Sequence, residues 1–259
     1  MATIALFLIG ASAVVQVVFL LLPGDRREPA SAVLLLCASA LLMTVLVERS
    51  LRISFVAVTN TYESLLFFSA VTCLVVGILR LTVRGAPAQV VFGATVVAMV
   101  LLMASSSPAL PKDAVPPIPA LQSLWLVLHV TLSFVGESFF AVSFAAAVVS
   151  LTTRSPERAK AADRLVQGTV GVGYPIFTAG ALVFGAIWAQ TAWGRYWSWD
   201  PKETWALVTW MVYTAYLHTR LVPRLRGRVS AVLAVAGFAC TVFTFVGVNY
   251  LLPGLHSYQ

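Results

Sequence analysis

Residues 193–203 read Trp-Gly-Arg-Tyr-Trp-Ser-Trp-Asp-Pro-Lys-Glu and join two long apolar runs. Three tryptophans and a tyrosine stand there beside an arginine, an aspartate, a lysine and a glutamate. The chain around them is mostly hydrocarbon: 59% of its 259 residues are hydrophobic and 10% charged, against about 25% charged in a soluble domain. The chain therefore reads as an integral membrane protein, with the aromatic stretch at or just outside the bilayer surface. A span takes roughly 20 residues, and helices satisfy their own backbone groups in lipid. The expected fold is all-α, one polytopic transmembrane helical bundle of about eight spans with no separate soluble domain.

Before the aromatic stretch lies a span over about 168–190, preceded by a charged connector at 154–164 and a span at about 123–152. The latter is long enough to tilt or project. Ser105 to Gln122 carries prolines at 108, 111, 116, 117 and 119, which forbid a helix and favour an extended external loop. Four earlier spans cover about 2–23, 30–47, 63–83 and 89–105, with a turn at 24–29. The mixed segment from Glu48 to Tyr62 reads as partly surface-lying and amphipathic. After the aromatic stretch come a span at about 203–222, a basic turn at 223–228, and a last span at about 229–252. Residues 1–105 thus form an N-terminal set of transmembrane helices. Residues 106–259 hold the proline-rich loop, the aromatic stretch and a C-terminal histidine segment. No basic region precedes the first apolar run, which reads as a retained span. Cys37, Cys73 and Cys240 lie in apolar runs without a C-x-x-C pair, so they read as packing residues.

The net charge of +7 belongs to loops rather than to a nucleic-acid surface, since no basic recognition motif is present. With eight spans, twelve of the seventeen Lys and Arg residues fall on one side and five on the other. The positive-inside rule makes the richer side cytoplasmic. Both termini, the proline-rich loop and the aromatic stretch are then expected to face outward.

Three histidines are present. His129 lies just inside the outer end of its span, and His256 just past the outer end of the last one, where Pro253 and Gly254 let the chain turn back. His218 lies fifteen residues beyond Glu203, roughly 22 Å down its helix and near the cytoplasmic side. An ionisable residue in a span is a functional candidate, and a helix-to-helix hydrogen bond is its plainer role. Two imidazoles converging on a tryptophan-rich platform suit a porphyrin held from both faces. Zinc competes as a metal, yet no Cys or carboxylate cluster completes a four-ligand set. Trp193, Trp197 and Trp199 form the proposed platform; a membrane-interface aromatic belt is the alternative. Arg195 and Lys202 can pair two propionates or snorkel at the interface. Asp200, Pro201, Glu203 and Thr204 carry the signature of a helix start. Trp205 and Trp210 can face lipid or neighbouring helices. Glu63 and Glu137 can each carry a proton or bind a basic group, with hydrogen bonding inside the bundle the plainer role.

The pattern Trp-Gly-x-x-Trp-x-Trp-Asp-Pro-Lys-Glu resembles the tryptophan-rich WWD signature of the haem-handling proteins of cytochrome c maturation. Three further segments make the chain most similar to the CcsA (ResC) family of the system II pathway: Asn60 to Leu65, Tyr216 to Arg220, and Gly254 to Tyr258. The resemblance is densest over about 120–258. It implies haem b (iron protoporphyrin IX) as the group handled. His129 and His256 would be its outer axial ligands, and His218 an intramembrane ligand. It also implies that Trp193, Gly194, Arg195, Trp197, Trp199, Asp200, Pro201, Lys202 and Glu203 line the haem platform, with Trp193, Trp197, Trp199 and Asp200 central to the chemistry. The implied role is the haem-handling subunit of a cytochrome c synthase. Its partners would be a CcsB (ResB) membrane subunit and an apocytochrome c with a Cys-x-x-Cys-His motif. The setting would be a bacterial inner membrane or a thylakoid. A CcmC-like protein that loads a haem chaperone without ligation is the alternative.

Overall fold

The computed structural model describes residues 1–21, 28–108 and 110–252, with only the backbone of 249 and 250. Among them every regular element is helical, and seven helices are long and apolar enough to cross a membrane. The chain is a multi-pass membrane protein. It divides into two compact units, Met1–Ile118 and Pro119–Gln259.

In the first unit α1 (Ala2–Leu21), α2 (Ala30–Ile53), α3 (Thr61–Thr82) and α4 (Ala88–Ser105) pack in succession, and α4 closes on α1. α3 is the most enclosed of the four. Both ends of the α2–α3 pair are pinned. At one end Glu28 accepts from Ser31 N and Oγ at the start of α2 and faces Arg80 at 3.4 Å. At the other, Glu63 takes Arg49 Nε at 3.1 Å and Thr59 N at 3.1 Å, while Asn60 caps α3 through Glu63 N. α2 is continuous to Ile53, so the expected surface helix from Glu48 does not form as a separate element. Ser54, with φ 54°, turns the chain out of it instead. Arg49 also donates to the carbonyls of Lys112 and Asp113, which fastens the proline-rich loop to α2. That loop is irregular over Lys112–Ile118.

The second unit begins with a single 3-10 turn, Pro119–Leu121. α5 (Leu124–Thr152) follows, capped by Ser123. Then α6 (Pro156–Phe177), a π-helical segment (Thr178–Phe184) and α7 (Gly185–Trp193) run on without a break. The charged connector expected at 154–164 is therefore helical from Pro156. Ser155 caps it through Arg158 N at 3.3 Å, and proline suits the first helical position. The resulting 38 residues make roughly 57 Å of helix, well beyond the ~30 Å of a bilayer's hydrocarbon. The end bearing Glu157, Arg158, Lys160, Asp163 and Arg164 can thus project past the apolar zone. α8 (Pro201–Leu221), α9 (Arg228–Val242), a second π segment (Phe243–Gly247) and α10 (Val248–Leu251) complete the unit. α8 is not among the seven apolar helices, although its 21 residues give roughly 32 Å, enough to cross.

α5 packs on α6 and on α9. The α5–α6 approach depends on glycine. A Cβ on Gly136 would lie 2.8 Å from Phe177 N, and one on Gly173 would lie 2.9 Å from Gly136 O. Small residues at a helix crossing let backbones meet, which is how membrane helices gain packing without a hydrophobic drive. Pro175 lacks an N–H for the α-helical ladder, and the π segment starts three residues later.

Candidate functional site

The site is built where α5, the first π segment and α7 come together. Gly180 carries the closest approach: a Cβ there would sit 2.4 Å from Ser133 N and 2.7 Å from the Leu132 carbonyl carbon. Its own carbonyl points at His129, whose Nδ1 lies 2.9 Å away. A carbonyl only accepts, so Nδ1 carries the hydrogen and the lone pair is on Nε2, the arrangement that a backbone carbonyl behind the ring imposes on ligating histidines. A Cβ on Gly185 would lie 2.9 Å from the same Nδ1, so that glycine keeps room for the ring. On its other side the imidazole stacks on Trp188, centroids 5.9 Å apart and 9° from parallel. Trp188 is 2% exposed and donates its Nε1 hydrogen to Ala120 O at 3.2 Å. Trp193 packs edge-on against it at 4.8 Å. Hence Trp193 reaches the neighbourhood of His129 through Trp188.

Gly194 ends α7. Its φ of +74° is the left-handed cap that glycine adopts without strain, and its N–H bonds Gln190 O at 3.0 Å. Exposed Arg195 and Tyr196 follow. Trp197 is half-buried, lies 5.8 Å from Trp199 at 88°, and keeps a buried Nε1 with no partner. Trp199 is 70% exposed at φ +61°, a conformation that costs about 1–2 kcal/mol for a residue bearing a Cβ. The next residues hold it there. Asp200, 5% exposed, accepts from Lys202 N, and Glu203 Oε2 accepts from Ser198 N at 2.8 Å, Ser198 Oγ at 3.1 Å and Asp200 N at 3.3 Å. Thr204 Oγ1 donates to Trp199 O. Asp200, Pro201 and Glu203 thus form a capping box for α8. Glu203 Oε1 is buried and unpaired. Half-buried Lys202 precedes the apolar part of α8. Burial lowers its amine to about 8, partly opposed by the Asp200 carboxylate.

His218 is exposed on α8 with Nδ1 2.8 Å from Thr214 O, again leaving the lone pair on Nε2. It stands fifteen residues from the capping box, roughly 22 Å, so it does not join the aromatic group. Beside it Arg220 pairs bidentately with Asp163 at 2.8 and 2.9 Å and reaches Gln167 at 2.9 Å, tying α8 to α6. His256 lies outside the described residues. Trp205 and Trp210 face protein: Trp205 is 4.3 Å from Phe243, and Trp210 donates to Thr178 Oγ1 at 3.0 Å and stacks on Tyr174. Both π segments therefore flank the upper half of α8, with Thr209 and Thr244 3.4 Å apart across the second. Such segments often mark functional sites.

Sequence reasoning overlooked Trp188, Gly180 and Gly185. A signal was present, since five glycines (168, 171, 173, 180 and 185) fall within eighteen residues of one helical stretch. Glu137 also differs from expectation, because its Oε2 is buried without a partner.

The cytochrome C assembly protein family model matches residues 29–256. The cytochrome c biogenesis protein CcsA of Chlamydomonas reinhardtii is 36% identical over 234 aligned residues, covering 85% of this chain and 66% of that protein. Its counterpart from Prochlorococcus marinus (strain MIT 9303) is 34% identical over 285, covering 94% of this chain and 88% of its own length. That of Heterosigma akashiwo (strain NIES-293 / 8280G21-1) is 33% identical over 253, covering 79% and 77%. The chain belongs to the cytochrome c assembly protein family, in its CcsA branch.

Proposed function

We propose that this chain handles haem in cytochrome c biogenesis, presenting it at the outer face of a membrane for thioether attachment to the Cys-x-x-Cys-His motif of an apocytochrome c. One arrangement carries the reading: an imidazole with its tautomer set by Gly180 O, stacked on Trp188 beside the Trp193 stretch. That is a ligand-ready histidine against an aromatic wall, in a chain whose relatives are named for cytochrome c biogenesis. His129 and His256 would hold the iron of haem b. Trp197 and Trp199 offer ring faces, and the unpaired Trp197 Nε1 is a donor for a polar edge of the ligand. Arg195 and Lys202 face the propionates. Asp200, Pro201 and Glu203 act by holding Trp199 in its strained, exposed pose.

Haem supplies the vinyl groups; each cysteine S–H adds across one C=C, forming a C–S and a C–H bond with no net electron transfer. The chain contributes position and orientation. His218, at the opposite end of α8, is the intramembrane ligand on the entry path. A CcsB-like subunit supplies the group opposite it. The uneven distribution of Lys and Arg supports an outer position for the aromatic stretch, in a bacterial inner or thylakoid membrane.

The test is the absorption spectrum of the detergent-purified chain coexpressed with its partner. His129→Ala and His256→Ala should each abolish the bis-histidine signature. His218→Ala should lower haem content at the outer site. Adding a Cys-x-x-Cys-His peptide should yield thioether-linked haem. Absence of haem from every form refutes the proposal; haem without thioether product leaves delivery to a chaperone.

A further inference from the structure

Eight residues beyond His129 on α5 lies Glu137, roughly 12 Å deeper. Ser133, midway between them, is buried and donates to His129 O at 2.6 Å. Glu137 is 7% exposed and its Oε2 makes no hydrogen bond. From α8, Tyr213 enters this level fully buried. Its ring stacks on Phe140 at 3.7 Å on one side, and on the other it meets Gly237 of α9, where a Cβ would lie 2.7 Å from the ring carbons. The Tyr213 hydroxyl lies within reach of Ser143 and otherwise has no hydrogen-bond partner. The titratable groups around the pair are Tyr216 from α8 and Cys240 from α9, while α6 presents Gly173 and Phe177 against Gly136. None of these is a cation. A buried carboxyl without a paired cation is more stable carrying its proton, and intramembrane acids facing a bundle interior are the parts of which proton relays are made. Glycine at 237 leaves room for the Tyr213 ring, whose hydroxyl is near enough to this acid for their charges to interact.

We propose that Glu137 is a proton-carrying site inside the second unit, whose proton occupancy rises when iron held at His129 is reduced and falls again on oxidation, by up to about half a proton per electron at a tenfold coupling. The inference rests on the haem reading above. Ferric porphyrin carries one more positive charge than ferrous. At roughly 12 Å and an effective dielectric of about 20, one unit charge changes the proton affinity of a carboxyl about tenfold. The step balances: the ferric centre gains one electron from an external one-electron donor, and in the fraction of molecules where Glu137 is ionised its carboxylate gains one proton from the Tyr213 hydroxyl, which is reprotonated from the aqueous phase. The added negative charge in the buried unit is thereby partly compensated, which a low-dielectric interior favours.

The experiment is a spectroelectrochemical titration of the haem-loaded chain, purified with its partner, at a series of pH values. A tenfold coupling makes the midpoint potential about 59 mV lower on the alkaline plateau than on the acid plateau. Glu137→Gln should give a pH-independent potential with an unaltered haem spectrum, and Glu137→Asp should keep the dependence. Infrared difference spectra on reduction should show a carboxylic-acid C=O band that shifts in D2O and is absent from Glu137→Gln. Tyr213→Phe should keep the band but slow its appearance. A pH dependence that persists unchanged in Glu137→Gln, or a native protein without that band, refutes the coupling while leaving the haem reading intact. A chain that carries no haem removes both, so the two failures are distinguishable.

Discussion

Gly180 offers the sharpest test of how the site is built. In Gly180→Ala the new methyl would meet backbone, Ser133 N at 2.4 Å and the Leu132 carbonyl carbon at 2.7 Å, and backbone cannot swing aside as a side chain can. α5 and the π segment must separate, which costs about 1–3 kcal/mol as overpacking. The His129–Gly180 hydrogen bond goes with them, adding about 0.5–1.5 kcal/mol. Alanine's better helix propensity returns up to about 1 kcal/mol, so the net loss is about 1–3 kcal/mol. At about 2–4 °C per kcal/mol for a chain of this size, the thermal midpoint should fall by roughly 2–12 °C. Gly171→Ala is the control: nothing lies within 4 Å of its Cβ, so it should match or exceed the native midpoint. Gly185→Ala separates packing from ligation. Its methyl would press on the His129 ring, at 2.9 Å, while Gly180 O stands at an ordinary 3.8 Å. The ring can rotate away, so the fold should persist while the imidazole leaves the Gly180 carbonyl and haem occupancy drops. The assay is thermal unfolding in detergent together with the haem spectrum of each variant. Gly180→Ala that is as stable as Gly171→Ala, with native haem content, would refute the account of the crossing and of the site together.

Lys202 should titrate near the middle of the accessible range, since burial lowers its amine to about 8. Propionate pairing by its ammonium is then lost as pH rises through about 8, so haem affinity should fall there and Lys202→Arg should move that fall to higher pH. The sign for stability is opposite: the unfolded lysine binds the extra proton between about 8 and about 10.4, so the penalty of the buried ammonium is full below that window and fades as pH rises through it. Lys202→Met should therefore raise the thermal midpoint at pH 7 and not at pH 10. Arg49→Ala should free the proline-rich loop from α2, because its guanidinium holds the Lys112 and Asp113 carbonyls; limited proteolysis should cut residues 110–118 several-fold faster, and the thermal midpoint should fall as well, since buried Glu63 loses its cation. Asp163→Ala removes both carboxylate contacts of Arg220. As that pair is partly exposed, the loss should be about 1–3 kcal/mol, read as a lower midpoint, whereas Glu157→Ala on the exposed helix start should leave it unchanged.

Composition and run length were enough for the membrane class and for the boundaries of most helices. Asn60, Ser123, Ser155 and Asp200 announce helix starts by local chemistry alone, because a cap acts within one turn. The proline-rich loop and the tryptophan stretch are equally local, as is the family resemblance that names the histidines. The helix over 156–193 was harder to read, since its first turns are charged and its later ones apolar, and neither property alone marks one continuous element. The same holds for α2, which was expected to stop before its charged last turns.

What only the tertiary structure decided lies between helices. Trp188 stands 59 residues from His129 in the chain, yet their rings stack. The carbonyl that sets the imidazole's tautomer comes from Gly180, 51 residues away, and its position depends on glycines that have no meaning until two backbones approach. Glu137 and Tyr213 come from α5 and α8, and Gly237 on a third helix leaves the room that the tyrosine ring needs. Sequence patterns report what a residue does within its own turn of helix. Contacts across helices are set by register and by the space that absent side chains leave, and a single chain of letters does not state either one.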